Sequence, residues 1–446
     1  MTSSLRSAAN PWQKNILGLA VPLILANLTV PLLGMADTAV IGNLSAAHIG
    51  AVALSSMIFS YLFWGLAFIK FSATGLTAQA YGADRGTDVF TILGQTLCLS
   101  FVFGAVFIIA KYPIISFSMF LIDPTAQVES LAVEYMHIRI LSAPATLANI
   151  GLLGWLIGLQ KVKTALALQV LINGTNIIFD FVLAVYFQME VRGVAWATVI
   201  AQFMGLIVGL WVISNIKHEL SANIDFHSIF QKSRLLKLMI INRDLFLRSV
   251  CVITAVAMFT AQGAHMGELV LAANGILILF LSFLSHGLDG FAHAAEILVG
   301  QAVGENNRQK LRKCVFETTK LAFFVALGYI CIFYLFGELL ISLITDLPAV
   351  QKESEKYLVW VIIAPIVSVW AFQLDGIFIG ATRAKDMRNA MFLSFAAYLI
   401  CLFFLVPAFD NHGLWLAFTI FMSFRGATLL ARYPQLEQQL TSSPPQ

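Results

Sequence analysis

The segment GLAFIKFSATGLTAQAYG at residues 65–82 has a counterpart later in the chain, GLDGFAHAAEILVGQAVG at residues 287–304. Seven of the eighteen aligned positions are identical, and both segments end in QAxG. Farther along the chain, Ile157-Gly158 aligns with Ile379-Gly380 at the same spacing. A repeat at one fixed spacing predicts a chain built from two copies of a single folding unit.

The composition predicts that both copies lie in a membrane. The chain has 446 residues, of which 59% are hydrophobic and 11% are charged, and its mean hydropathy is +0.84. An ordinary soluble domain carries about 25% charged residues. Apolar stretches of about 20 residues or more, enough for a helix to span a bilayer, recur along the whole sequence. We therefore predict an all-α polytopic membrane protein, and the net charge of +3 gives no indication of nucleic-acid binding.

Twelve apolar stretches are predicted to be transmembrane helices, six in each copy. They cover residues 15–41, 48–81, 88–110, 128–158, 164–187, 193–215, 239–264, 268–302, 311–336, 352–380, 386–407 and 411–432. A charged connection after the sixth stretch separates two pseudo-symmetric six-helix lobes. The predicted organisation is an N-lobe at residues 1–215, a cytoplasmic linker at 216–238, a C-lobe at 239–432 and a cytoplasmic tail at 433–446.

The distribution of lysine and arginine supports this count, because these residues concentrate in the cytoplasmic connections of membrane proteins. Of 27 such residues, seventeen lie in the termini and connections predicted for one side, and four lie on the opposite side. The pattern favours an even number of spans with both termini in the cytoplasm.

Two carboxylates inside predicted spans are the first functional candidates. Asp37 lies near the outer end of the first span, and Asp180 lies in the outer half of the fifth. An ionisable group at the bilayer centre costs about 2.5–3.5 kcal/mol by insertion scales, so it is retained mainly where it handles protons, ions or substrate. Burial disfavours the charged form of a carboxylate, and we therefore expect both groups to switch between protonated and charged states.

Polar side chains of neighbouring spans are predicted at the same depth as these carboxylates. Tyr135 belongs to the fourth span and Thr198 to the sixth. In the fifth span, Asn173 and Asn176 share one helix face with Asp180, at i, i+3 and i+7. Polar residues also join membrane helices by hydrogen bonds, so a packing role stays open for the uncharged members of this group.

Two prolines, Pro22 and Pro31, fall in the helix that carries Asp37. A proline removes one backbone hydrogen bond and bends a helix. A bend beside a titratable carboxylate is a candidate hinge, and a static kink is the alternative.

Further ionisable residues within spans are secondary candidates. Four of them follow one face of the eighth span, where a proton or cation pathway and polar packing are both open. A metal site is disfavoured there, because one helix supplies too few ligands. The secondary candidates are Arg139 as a counter-ion, His286, Asp289, His293 and Glu296 on that face, and Asp375 near the inner end of the tenth span.

Five short motifs lie in order along both lobes. They are P-x(14)-D at Pro22 and Asp37, N-x3-D at Asn176 and Asp180, GVAWATVIAQ from Gly193, NRDLFLR from Asn242, and LDGIFIGATRAKDMRNAM from Leu374. In sequence, order and spacing this set resembles the multidrug and toxic compound extrusion (MATE) family, and specifically its DinF-like branch.

The resemblance implies export of amphipathic or cationic compounds across the bacterial inner membrane, in exchange for protons or sodium. In DinF-like members the N-lobe aspartates and their polar neighbours are linked to cation coupling and to bending of the first helix. The matching residues here are Asp37, Tyr135, Asn176, Asp180 and Thr198. The acidic residue that other branches carry in the seventh span has no counterpart in VCVITAVAMFTAQGA at residues 250–264, which favours protons over sodium.

The predicted function is therefore a proton-coupled antiporter for small-molecule drugs or amphipathic cations. We expect a monomer in the lipid bilayer with no cofactor, no bound metal and no enzymatic activity. Two alternatives are less well supported. A flippase for lipid-linked precursors predicts a strongly basic central groove, which the few cations within spans do not favour. A membrane-embedded prenyl transferase needs a second acidic cluster beside Asp84 and Asp88 to hold magnesium, and the sequence shows none.

Overall fold

The structure is a computed structural model that describes residues 11–41, 45–220 and 225–440, without the side chains of residues 30–39 and 41. All regular secondary structure within these ranges is helical. The helices are α1 Pro11–Ile41, α2 Ala46–Gly65, α3 Phe68–Gly82, α4 Gly86–Ile109, α5 Lys111–Ile122, α6 Ala126–Arg139, α7 Ala143–Gly158, α8 Val162–Asp180, α9 Glu190–Glu219, α10 Phe226–Ile229, α11 Lys232–His265, α12 Glu268–Gly304, α13 Arg308–Ile344, α14 Pro348–Gly380 and α15 Ala384–Gln438. A 3-10 turn, Ile140–Ser142, joins α6 to α7, and a π-helical turn, Phe181–Tyr186, extends α8.

The described helices account for the twelve predicted spans. Within the described ranges, ten segments are long and apolar enough to cross a membrane. One of them, α15, is two helices in sequence, because Asp410 breaks it with φ 48° and ψ −128°. With that division and with the 31 residues of α1, the twelve-helix prediction is confirmed. The sequence missed α5, which has 12 residues and is too short to span a bilayer.

The chain packs as two compact units. The N-terminal unit is Leu25–Ile240, and the C-terminal unit is Ile241–Gln446 together with Met1–Ile24. The helix α1 therefore begins in the C-terminal unit and continues into the N-terminal unit. Its first turns are held in the C-terminal unit by Trp12, whose ring lies 5.1 Å from the ammonium nitrogen of Lys313.

The internal repeat has a structural counterpart at a close helix crossing in the N-terminal unit. There α7 lies against α3. A Cβ atom added to Gly154 would meet the backbone carbonyl oxygen of Lys70, and one added to Gly158 would meet that of Thr74. Only glycine lets the two backbones approach this closely.

The same crossing recurs in the C-terminal unit, where α14 lies against α12. A Cβ atom added to Gly376 would meet the carbonyl oxygen of Ala292, and one added to Gly380 would meet that of Glu296. All four positions follow their counterparts in the N-terminal unit at the spacing that relates Gly65 to Gly287. The spacing found in the sequence thus reproduces one backbone contact twice.

The connection between the sixth and seventh spans lies against the N-terminal unit. Arg234 pairs with Asp88 at 2.5 Å, and Asp88 also pairs with Arg85 at 3.1 Å. Asp88 is thus neutralised by arginine, which does not suit the magnesium site that a prenyl transferase requires. Asp225 caps α10, and the hydrogen bond from the Ser228 hydroxyl lowers the pKa of its carboxyl group.

Candidate functional site

A buried polar face on α8 forms the centre of the candidate site. Asn173, Asn176 and Asp180 are 6%, 1% and 0% exposed. Asp180 is the last residue of α8, and the chain continues from it as a π-helical turn. Turns of this kind displace backbone hydrogen bonds and occur frequently at functional sites. The structure therefore places the predicted fifth-span face in the interior of the N-terminal unit.

Asn176 and Thr198 join α8 to α9 one turn before Asp180. The Asn176 amide donates to the Thr198 hydroxyl at 3.3 Å. That hydroxyl in turn donates to the carbonyl oxygen of Val194 in its own helix, at 3.2 Å. Hydrogen bonds to both helices thus fix the Thr198 hydroxyl, one helical turn before Asp180.

Asn173 joins the same face of α8 to α1. Its amide donates to the Thr29 hydroxyl at 2.8 Å, and this hydroxyl donates to the carbonyl oxygen of Ala26 at 2.7 Å. Thr29 lies between Pro22 and Pro31. Thr29 is not predicted by any local pattern in the sequence, because its partner lies 144 residues away.

Tyr135 and Arg139 lie on α6 in the same unit. Tyr135 is buried, and its hydroxyl lies 3.4 Å from that of Ser56. The Arg139 guanidinium lies over the ring of Phe59, 5.7 Å from its centre, in a cation–π contact. Among the residues with described side chains, the Nε and Nη1 atoms of Arg139 are buried without a hydrogen-bond acceptor. Its role as a counter-ion stays a prediction.

The helix α1 is continuous through both predicted hinge prolines. Pro22 lies two residues before Ile24, where α1 passes from the C-terminal unit into the N-terminal unit. The side chains of Pro31 and Asp37 lie outside the described residues. Their assignment to the hinge and to cation coupling stays a prediction.

The C-terminal unit holds a buried charged cluster on three other helices. The carboxylate of Asp375 on α14 accepts hydrogen bonds from Arg248 on α11 and, at 2.6 Å, from Arg425 on α15. All three residues are at most 9% exposed. Asp289 on α12 interacts electrostatically with Arg425. We call these four residues the arginine cluster.

The arginine cluster changes the interpretation of Asp375. Asp375 is held by two guanidinium groups, which compensate its charge. Its role in a proton or cation pathway stays a prediction. Arg425 was not among the predicted site residues. The cost of a charge within a span, which indicated Asp37, applies equally to this arginine in the twelfth span.

The remaining residues of the eighth-span face bond within their own helix. His286 donates through Nδ1 to the carbonyl oxygen of Ser282, at 2.6 Å. His293 and Glu296 form a buried pair with 2.9 Å between Nδ1 and the carboxylate. Within the described part of the chain, no three histidine, cysteine, aspartate or glutamate side chains converge to hold a metal ion.

Twelve spans in two repeated units, with buried polar sites inside the spans, define a multi-pass membrane transporter. The MatE family model matches residues 22–182 and again residues 245–406, once in each half of the chain. The chain belongs to the MatE family, whose members are transporters and not enzymes.

Relatives and solved structures agree with this assignment. The chain is 39% identical to the DNA damage-inducible protein F of Escherichia coli (strain K12), over 93% of this chain and 90% of that protein. A multidrug resistance MATE family transporter of the MOP superfamily, solved in an outward-facing conformation, has a TM-score of 0.86 at 18% identity and 97% coverage of both chains. A crystal structure of MATE in the bent conformation has a TM-score of 0.85 at 18% identity, covering 97% of this chain and 96% of that one. The predicted family and its DinF-like branch are confirmed.

Proposed function

We propose that this protein is a secondary active exporter of amphipathic and cationic compounds, coupled to protons and working by alternating access. It acts as a monomer in the bacterial inner membrane, with both termini in the cytoplasm. Membership of the MatE family supports transport, and likeness to a multidrug resistance transporter supports drugs as the cargo. The observation that carries the proposal is Asp180, a fully buried carboxylate at the end of a transmembrane helix.

The coupling step is a change of charge at Asp180. An ionised carboxylate only accepts hydrogen bonds, whereas a protonated one also donates, so protonation changes which neighbours it holds. Its neighbours on α8 are the amides of Asn176 and Asn173, which bond to α9 and α1. A change at Asp180 therefore reaches two helices through contacts no more than two turns away. We assign Asp37 in α1 as the second titrating carboxylate.

The mechanical step is bending of α1 near Pro22. The first turns of α1 belong to the C-terminal unit, where Trp12 contacts Lys313, and the helix changes unit two residues after Pro22. A bend at this proline moves the Asp37 end of the helix while the first turns stay in place. Such a movement alters the interior of the N-terminal unit and expels bound drug outward. Likeness to a MATE structure in a bent conformation supports a conformational change in this fold.

The proton gradient supplies enough free energy for this cycle. For a neutral compound, one proton crossing 100 mV gains about 2.3 kcal/mol, which corresponds to a concentration ratio of the order of 50. For a monovalent cation the exchange moves no net charge, so the pH gradient must supply the free energy instead. Entry of a proton from outside to Asp180 would thus drive release of drug against such a ratio.

The test uses the purified full chain in proteoliposomes, with ethidium as a fluorescent cation. An imposed pH gradient is expected to drive ethidium transport without sodium. Asp180→Asn and Asp37→Asn should abolish transport at equal protein content, because neither variant changes charge on protonation. Asp84→Asn is the control, since Asp84 is an exposed loop carboxylate in a left-handed conformation that asparagine also adopts.

Two outcomes would contradict the proposal. Transport driven by a sodium gradient alone would rule out proton coupling. Retained pH-driven transport in both asparagine variants would remove Asp37 and Asp180 from the mechanism and leave only the family assignment.

A further inference from the structure

The arginine cluster carries two guanidinium groups on a single buried carboxylate. One oxygen of Asp375, Oδ2, accepts from both Arg248 and Arg425. Buried charges in membrane helices are costly unless they are paired and hydrogen-bonded. Asp289, the other carboxylate of the cluster, is only partly buried, so the two guanidinium groups share one buried carboxylate and can accommodate a further anion.

The hydrogen-bond donors of Arg425 are poorly used. Its Nη2 atom bonds to Asp375, but its Nη1 atom donates to the thioether sulfur of Met422 at 3.1 Å. A thioether is a weak acceptor compared with oxygen. The guanidinium also lies over the ring of Phe421, 5.7 Å from its centre. Its Nε atom is buried and has no hydrogen-bond acceptor among the described residues.

Arg248 also has an unfilled hydrogen-bond donor. Its Nε atom is buried, again without an acceptor in the part of the chain that the structure describes. Arg248 and Arg425 are 9% and 6% exposed, so bulk water does not fill these positions. Two guanidinium groups from two helices thus meet at one carboxylate, and each has one unfilled donor.

Asp289 is the second acidic residue of the cluster, and it differs from Asp375 in burial. Asp375 is 7% exposed, whereas Asp289 is only partly buried. A partly buried carboxylate regains hydration when it leaves an arginine, so a competing anion can replace it at lower cost than it can replace Asp375.

We propose that the arginine cluster is an anion-binding site that takes the carboxylate, sulfate or phosphate group of an amphipathic compound. The planar guanidinium fork matches the geometry of such oxyanions. The anion fills the donors of Arg248 and Arg425 that Asp375 leaves free, and it competes with Asp289. The site extends the cargo from cationic compounds to anionic and zwitterionic ones, and it is independent of proton coupling in the N-terminal unit.

Comparison of the two repeats indicates that the cluster is not required by the shared fold. At the spacing that relates Gly65 to Gly287, Asp375 corresponds to Leu153 and Asp289 corresponds to Ala67. The N-terminal unit forms the same helix crossing with apolar side chains at these places. The charged residues are therefore an addition to the repeated fold.

The test measures binding to the purified full chain in phosphatidylcholine nanodiscs by calorimetry, with no ion gradient. The probes are decanoate, decyltrimethylammonium as its cationic match, and inorganic sulfate. Decanoate is expected to bind, with affinity about tenfold or more lower in Arg425→Gln and in Arg248→Gln. Arg432→Gln, an exposed position on the same helix, should bind as the unchanged protein does.

A variant with the opposite expected sign separates binding from a merely structural role. Asp375→Asn keeps both arginines and removes their shared acceptor, so decanoate should bind more tightly. We also expect Asp375→Asn to lower the melting temperature of the protein, and decanoate should restore it. A structural cluster predicts loss of stability in all three variants with no rescue by the anion, and that result would overturn the proposal.

The source of the anion is decided in a third comparison. Sulfate that competes with decanoate supports an oxyanion site. Competition by phosphatidylglycerol added to the nanodiscs also supports it and assigns the site to a lipid headgroup, as a flippase would use. Equal binding of decanoate in all variants, or binding of decyltrimethylammonium that depends on Arg425, would overturn it. Failure of proton coupling would leave every one of these measurements unchanged.

Discussion

The two units share a backbone arrangement but differ in the chemistry of their buried polar groups. In the N-terminal unit these groups are amides and hydroxyls beside Asp180, and each makes one or two hydrogen bonds. In the C-terminal unit they include two guanidiniums on Asp375, an arrangement without a counterpart at the Asp180 site. The repeat preserved the glycine contacts between helices and left the side chains inside each unit free to diverge. Each unit therefore needs its own functional explanation.

The difference extends to where the charge lies along the repeated helices. The turn after the fifth span brings Gly193 against Ala184, and the turn after the eleventh brings Gly413 against Leu405. At the spacing that relates Ala184 to Leu405, Asp180 corresponds to Cys401. Each unit thus lacks the carboxylate that distinguishes the other, and the two sites are not copies.

The largest expected effect tests the part that the units share. Gly376→Ala and Gly154→Ala each place a methyl group against a backbone carbonyl that cannot move away, so we expect a loss of about 3 kcal/mol or more and little folded protein. Detergent-solubilised yield and thermal melting measure it. Gly328→Ala is the control, because a Cβ atom there meets nothing within 4 Å and alanine favours the helix. If only one of Gly376→Ala and Gly154→Ala lost stability, the two helix crossings would not be equivalent.

The next effect separates the two kinds of buried site. Asp375→Asn leaves two guanidiniums without a charged partner, and we expect it to cost about 3 kcal/mol in stability. Arg425→Gln should cost less, because Arg248 and Asp375 remain as a one-to-one pair. Thermal melting without added anion compares the two variants. If Arg425→Gln were the more damaging, Asp289 would already neutralise Arg425, and the pair of guanidinium groups would carry no excess positive charge.

Much of this architecture could be predicted from sequence, because the length of an apolar stretch is a local property of the chain. The twelve spans and the repeat both follow from residues close together in the chain or at one fixed spacing. The break between α2 and α3, near Leu66, was not predicted, because the apolar pattern continues across it.

The hydrogen-bond partners within the two sites could not be predicted from the sequence, for a different reason. Asp375 could face a transported cation or an arginine side chain. Helix packing brings it against two arginines that lie 127 and 50 positions away in the sequence. The Asn173–Thr29 contact is of the same kind. The types of residue at the N-terminal site could be listed in advance, but their partners could not.

A smaller effect is expected at the link between α8 and α1. Thr29→Val removes the acceptor for Asn173, and hydrogen bonds between membrane helices average about 0.6 kcal/mol, so the protein should fold and melt nearly as before. Under the proposed mechanism its ethidium transport should fall much further than its stability. Thr254→Val is the matched control, since that exposed hydroxyl bonds to the carbonyl oxygen of Val250 in its own helix. Unchanged transport in Thr29→Val would argue against α1 as the helix that moves.

The smallest expected effect concerns the charged surface of each unit. Arg234 pairs with Asp88 in the N-terminal unit, and the Arg234 side chain is 41% exposed. In the C-terminal unit, Arg312 pairs with Glu437 and its side chain is 61% exposed. Because water and salt screen such pairs, Arg234→Gln and Arg312→Gln should each cost at most about 1 kcal/mol, and less at high salt. Melting temperatures at low and high ionic strength check this. A cost above that of Arg425→Gln in either variant would mean that the surface pairs, and not the buried sites, dominate the electrostatics of the fold.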